Sequence, residues 1–213
     1  MKIAIVAGAS GLIGKELVQK LINSDQYRLI YVLSRKKSGL VNDKIRELVI
    51  DFENIGQLKF DEPIDHVFCT LGTTMKQAGS RENFRKVDYE YIIALANLGK
   101  QHGASKFIVI SAMGANSKSA VFYNKIKGMT EDALKNIGFN QLIILRPSLL
   151  LGDRAEKRLA EGISGGFMKV FNFLIPDNYK AIQVEKVAES MLKMALKSTE
   201  KVLVVKSGEM QGE

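Results

Sequence analysis

The chain has few of the residues that build cross-linked or metal-centred proteins. A single cysteine, Cys69, excludes an internal disulfide framework and fits a reducing compartment, expected here to be the cytoplasm. Two isolated histidines, His66 and His102, together with that one thiol make no recognisable zinc site, so no metal is expected. No apolar run approaches the roughly 18–20 residues that span a bilayer, and no membrane partner is expected. The run Ile3–Ala7 is only five residues long and leads into a glycine motif, so it reads as a strand and not as a signal peptide. Internal repeats and low-complexity linkers are missing too. Lysine and arginine are dispersed, with no long block and no interleaved aromatics. The net charge of +8 therefore reads as a basic surface that attracts an anionic small molecule, not as a specific nucleic-acid interface.

What is present is ordinary globular material: 213 residues, 46% apolar and 25% charged, enough for one domain with a sizeable core. Short β-rich runs alternate with longer helical patterns. The strands are expected at 3–7, 29–33, 46–50, 66–71, 106–110, 142–145 and 201–205, and the helices near 12–23, 81–101, 121–137 and 184–197. Ser80 suits an N-cap, Gly103 a stop and Gly138 a C′ position. Strands that are apolar almost throughout and alternate with helices predict an α/β fold. It should be a Rossmann-type, doubly wound, mostly parallel sheet with helices on both faces and a small C-terminal substrate or lid region. Ligands of such sheets lie at the carboxyl ends of the strands.

The most informative stretch is Gly8-Ala9-Ser10-Gly11-Leu12-Ile13-Gly14, directly after the first strand. Gly8 permits a tight turn, Gly11 lets the backbone approach a pyrophosphate, and Gly14 lets the helix pack closely. The free N–H groups of the first helical turn then face the phosphates. The context confirms the motif, because the loop lies between a β-branched strand and the apolar stripe Leu12, Ile13, Leu17, Val18, Leu21.

The residue that closes the second strand chooses the dinucleotide: an acid there takes the ribose hydroxyl of NAD and repels the 2′-phosphate of NADP. Here the strand runs into Ser34-Arg35-Lys36-Lys37, with no acid in that window. A guanidinium fork suits phosphate and Ser34 adds a hydroxyl, so NADPH is expected to be preferred over NADH. Asp51, after the third strand, is placed either to meet the adenine amino group or to serve as a turn acid or helix cap.

Tyr123 and Lys127 stand four apart in the helix expected at 121–137. Its core stripe is expected to be Phe122, Ile126, Met129, Ala133 and Ile137. Tyr123 and Lys127 share a second stripe, roughly 100° round and stacked one turn apart. A phenol titrates near 10, too high for proton transfer at neutral pH. A neighbouring ammonium stabilises the phenolate and brings it toward the useful range. Lys127 is also placed to hydrogen-bond the nicotinamide ribose.

The chain resembles the short-chain dehydrogenase/reductase superfamily. Within it, the resemblance is to the atypical NAD(P)-binding branch that includes a human Tat-interacting oxidoreductase-like protein and bacterial relatives. The resemblance runs from Ile3 to about Lys206 and is carried by the stretches 8–14, 68–74, 107–114, 123–128 and 145–154. It implies Ser/Tyr/Lys chemistry: Tyr123 as proton donor to a substrate carbonyl, Lys127 as its activator and Ser111 polarising the carbonyl. Leu71, Gly72 and Thr73 would pass beside the cofactor. The sequence departs from the usual pattern in one respect, since the catalytic hydroxyl often stands one or two places after Ser111, where this chain has Ala112 and Met113. Ser117 and Ser119 are further hydroxyls in that loop.

The expected activity is NADPH-dependent hydride transfer to the carbonyl of a small, partly hydrophobic molecule, by a monomer or homodimer. The alternative is a non-catalytic NADP(H)-binding redox sensor or regulatory partner protein. Residues 148–183 break the alternation, with Phe167, Met168, Val170, Phe171, Phe173 and Leu174 in a glycine-broken segment. This stretch reads either as a core or subunit-contact helix or as a substrate lid inserted in the single domain 1–213.

Overall fold

In the computed structural model, residues 1–151 and 180–211 are described. β1 (Lys2–Ala7) runs through the glycine loop into α1 (Leu12–Ile22), followed by β2 (Tyr27–Ser34), β3 (Ile45–Val49), a 3-10 turn at Phe52–Gln57 and β4 (His66–Cys69). A helical stretch then comprises α2 (Met75–Ala78), α3 (Arg81–Arg85), a π-helical turn (Lys86–Glu90) and α4 (Tyr91–Gln101). β5 (Lys106–Ile110), α5 (Phe122–Ile137) and β6 (Gln141–Arg146) follow. β7 (Leu150–Leu151) and β8 (Ile182–Gln183) pair in parallel as a small second sheet. α6 (Val184–Lys197), β9 (Val202–Lys206) and α7 (Ser207–Gln211) end the described chain.

The main sheet has the order β3-β2-β1-β4-β5-β6-β9, and every neighbouring pair is parallel. This is the expected doubly wound sheet. Its order reverses between β1 and β4, which opens a crevice at their carboxyl ends. β1 shows why the strands lack polar alternation. Ala4 and Val6 enter the core beneath α1 and α6, while Ile3, Ile5 and Ala7 enter the core beneath α4 and α5. Both faces are covered, so both side-chain sets are apolar. Ser80 caps α3 by accepting the Asn83 amide at 3.1 Å, and Gly138 ends α5 at φ +75°.

The stripe expected on α5 needs correction. Ile126 is buried as expected, but Phe122, Met129, Ala133 and Ile137 are only partly covered. The face turned inward carries Lys127, Gly128, Thr130, Glu131 and Leu134. Apolar periodicity missed this face because two of its residues are charged and neutralised inside the fold. Lys127 faces Asp88 and Glu131 binds Arg146. The segment expected as lid or contact helix, including Phe167 to Leu174, lies outside the described residues apart from its ends near β7 and β8.

Candidate dinucleotide and catalytic site

Gly8 leaves β1 at φ +95°, and a Cβ there would stand 2.6 Å from the Thr70 carbonyl carbon. Thr70 binds the end of β1 twice: its amide donates to the Ala7 carbonyl at 2.8 Å and its hydroxyl donates to the same oxygen at 3.1 Å. The two strands at the switch point are thus held too close for any side chain between them. Gly14 is equally constrained, since a Cβ would come within 2.2 Å of the Gly8 carbonyl oxygen. Gly11 holds the N-cap position of α1 and supplies no side-chain cap, which leaves the first-turn N–H groups open toward the crevice. Ser10, Gly11 and Leu12 are exposed, whereas Ala9 and Ile13 belong to the core and offer only backbone.

A cavity of about 550 Å³ opens above this loop. Its floor includes Gly8, Ser10, Gly11 and Thr70, and one wall is Leu71, Gly72 and Thr73. Ser34 and Arg35 line the far end. Beside them are residues the sequence reading missed: Phe52, Lys86, Val87 and Tyr91. Phe52 and Tyr91 lie with ring centroids 5.6 Å apart, and the Tyr91 hydroxyl donates to Glu53 at 2.7 Å. The signal for Phe52 is its place just after Asp51; Lys86, Val87 and Tyr91 carry none, because they fall inside a helical pattern. Asp51 itself caps the 3-10 turn, accepting the Glu53 amide at 3.1 Å. Of its two open roles, the structure displays the cap.

The basic turn after β2 also has a partner that no local sequence pattern marks. Glu47 of β3 accepts the Ser34 hydroxyl at 3.1 Å and the Ser38 amide at 2.7 Å. An acid therefore stands at the end of β2 after all, supplied by the neighbouring strand and not by the loop.

Tyr123 and Lys127 lie one turn apart on α5, and the Tyr123 ring packs on Phe84 of α3 at 5.4 Å. Lys127 is buried. Its ammonium stands 2.8 Å from Oδ1 of Asp88, a charge contact outside good hydrogen-bond direction, while Oδ2 of Asp88 accepts the Thr73 amide at 2.8 Å. Burial alone would lower the ammonium's pKa, but Asp88, then Tyr123, outweigh it and hold it above the usual lysine value. Asp88 sits in the π-helical turn, a distortion that recurs at functional positions. The Thr130 hydroxyl reaches both the Asp88 and Ile126 carbonyls, at 2.7 and 2.9 Å, and fastens that turn to α5. Gly72 lies against the pair: a Cβ there would be 3.4 Å from Oδ1 of Asp88 and 3.7 Å from the Lys127 nitrogen. Sequence reading missed Asp88 because a helix-period pattern gives an isolated acid no reason to point inward.

Ser111 follows β5 directly, but its hydroxyl turns away from this pair. It donates to Oε1 of Glu131 at 2.5 Å, and Arg146 Nε donates to the same oxygen at 2.9 Å, with a second guanidinium bond to Oε2. The single proton that would polarise a carbonyl is committed there. Cys69, buried at the end of β4, has its thiol pushed up to about 12 by burial and is inert as a nucleophile.

A glycine-floored crevice at the switch point, an uncapped helix start above it and a Tyr/Lys pair on α5 define a Rossmann-type dinucleotide-binding protein. The residues fit the group physically, because Gly8, Ser10 and Gly11 line the cavity beside a helix start that no side chain caps. A family model described as NAD(P)H-binding matches residues 8–198, and the chain belongs to that family. It is 31% identical to protein HTATIP2 of Rattus norvegicus over 90% of this chain and 80% of that protein. To a protein named "Protein FMP52, mitochondrial", of Candida albicans, it is 34% identical over 71% of this chain and 68% of that protein. In fold it superposes on a short chain dehydrogenase family protein from Francisella tularensis with TM-score 0.73, at 14% identity, covering 99% of both chains.

These relatives correct the expected location. Several of the FMP52 proteins are named mitochondrial, which points away from a purely cytoplasmic protein. Cysteine scarcity speaks to the absence of disulfides and does not distinguish among reducing compartments.

Proposed function

We propose that this protein is an NADP(H)-dependent oxidoreductase that reduces a carbonyl on a small, partly hydrophobic molecule. The observation that carries the reading is the buried Lys127, fixed by Asp88 one turn below Tyr123 and against the Gly72–Thr73 wall of the cavity. The nicotinamide, when bound, supplies the hydride. The glycine loop and the start of α1 would hold the pyrophosphate. Arg35 would face the 2′-phosphate, where one charged hydrogen bond of about 1.5–3 kcal/mol corresponds to roughly 10- to 150-fold preference. Tyr123 would deliver its phenolic proton to the carbonyl oxygen, and Lys127 would steady the phenolate left behind. Ser111 has no part in this account, because its proton serves Glu131.

That commitment of Ser111 favours one second reading, a protein that binds the dinucleotide without turning over a substrate. Tyr123→Phe separates the two. Under the catalytic reading it leaves cofactor affinity within about twofold and abolishes reduction of any accepted carbonyl substrate. A variant as active as the wild type removes Tyr123 from the mechanism. Fluorescence titration with NADPH and NADH tests the cofactor half, with micromolar NADPH and weaker NADH expected. Failure to bind either one ends the oxidoreductase reading.

A further inference from the structure

The turn that follows β2 carries three consecutive cations, Arg35, Lys36 and Lys37, and all three are exposed. Its inner side is closed by a carboxylate. Glu47 stands opposite Val32 in the parallel β2–β3 register, two places before Ser34, so the Glu47 and Ser34 side chains rise from the same face of the sheet. Oε1 of Glu47 takes both the Ser34 hydroxyl, at 3.1 Å, and the Ser38 amide, at 2.7 Å. Partial burial raises the Glu47 carboxyl, but the Ser38 and Ser34 bonds with the nearby Lys37 charge more than offset this and hold it below the usual glutamate value. A hydroxyl, a backbone N–H and flanking cations are what an external phosphate recruits. Here an internal anion already uses them, and Ser34 and Arg35 at its edge line the cavity.

We propose that Glu47 sets the cofactor preference by occupying, from within the fold, the anion-binding turn to which an NADP 2′-phosphate would bind. The 2′-phosphate must take Ser34 and Ser38 from Glu47 or stand against its charge. The ribose hydroxyl of NAD can instead donate to the carboxylate. Glu47 thus opposes Arg35 and keeps selectivity for NADPH below what the guanidinium alone would produce. This inference rests on the dinucleotide reading of the cavity and is independent of any catalytic step.

The test is Glu47→Gln in the full chain, with dissociation constants measured for NADPH, NADH and the fragment 2′,5′-ADP. Glutamine retains an oxygen for the Ser38 amide and removes only the charge. The expected result is at least about tenfold tighter NADPH and 2′,5′-ADP, the size of one charged hydrogen bond, with NADH unchanged or weaker. An NADPH/NADH ratio within twofold of wild type overturns the proposal while leaving the cofactor reading intact. Weaker NADPH binding in the variant overturns it too, because the carboxylate would then be organising the turn for the phosphate. If the wild type binds neither dinucleotide, the cofactor reading fails first and the proposal falls with it. A melting curve confirms the variant is folded, and Arg35→Ala, expected to weaken NADPH and 2′,5′-ADP but not NADH, is the control of opposite sign.

Discussion

Asp88→Ala removes the only carboxylate that faces Lys127 among the described residues and leaves an ammonium in a site where the lysine side chain is 6% exposed. Stranding one member of a buried ion pair costs about 3–5 kcal/mol. The Thr73 amide also loses its acceptor, which costs about 1 kcal/mol more at a partly covered position. The sum, about 4–6 kcal/mol, is a large share of the roughly 5–15 kcal/mol typical of a folded domain. It corresponds to roughly 10–20 °C in melting temperature for a chain of this size. The loss carries a pH signature. In the wild type the Lys127 pKa is raised, so its stabilisation is fully present below the ordinary lysine value and is lost as pH climbs through the higher folded value. In the variant, burial without a counter-ion lowers the lysine, so its penalty is greatest near neutrality and fades toward pH 10. Urea unfolding of both proteins from pH 7 to 10 should therefore show a gap that narrows as pH rises. Asp88→Asn combined with Lys127→Met, which keeps an acceptor for Thr73 and removes both charges, should recover most of the loss. A gap below 1 kcal/mol that does not change with pH would refute the claim that Asp88 neutralises a buried charge.

Other outcomes follow from individual contacts. His66 is buried beside Tyr27, with its Nδ1 2.7 Å from the phenol oxygen, and burial, then Lys106, lower its pKa to about 4. Its neutral form stabilises the fold fully above the unfolded value near 6.5, and that contribution is lost as pH falls toward 4. The loss is roughly 3 kcal/mol at 1.36 kcal/mol per unit, and His66→Gln should flatten this part of an acid-unfolding profile. Ser111→Ala should lower stability by about 1.5–3 kcal/mol in urea, the worth of a bond to a charged acceptor, and leave NADPH affinity unchanged. Gly14→Ala forces a methyl to 2.2 Å from the Gly8 carbonyl oxygen, and titration should show NADPH affinity reduced more than tenfold, with a lower melting temperature.

The sheet was legible because its strands carry a signal that needs no tertiary information. Runs such as Ile3–Ala7 and Phe107–Ile110 are apolar on both faces, and only a doubly covered strand wants that. The glycine loop was legible for a similar reason: Gly8 and Gly14 answer to backbone collisions that no other residue relieves. Side chains whose roles depend on a distant partner were not. Nothing local marks Glu47 as the acceptor for Ser34, thirteen residues away, or Asp88 as the partner of Lys127 from another helix. The α5 stripe failed for the same reason, since a charge counts as surface until its counter-charge is located. β7 and β8, two residues each, are too short to leave a periodic trace.

Those missed partners also explain how Tyr123 and Lys127 are kept in register with the Gly72–Thr73 wall of the cavity. Tyr123, Lys127 and Glu131 recur every four residues along one side of α5. The lower two are each tied to a separate part of the sheet's carboxyl edge: Lys127 through Asp88 to the loop after β4, and Glu131 to Ser111 after β5 and Arg146 at the end of β6. Rotating α5 to re-aim Tyr123 would break both ties together. Each tie leaves a buried charge without its partner if it opens, so the cost of misalignment is several kcal/mol and not the fraction of one expected for a slipped apolar contact. An apolar stripe at those positions would seat the helix with less precision, since hydrophobic packing is non-directional. The buried charges on α5 are therefore best understood as the device that fixes the rotation of the helix, and with it the position of Tyr123, with Asp88 as the point where the helix, the loop after β4 and the lysine meet.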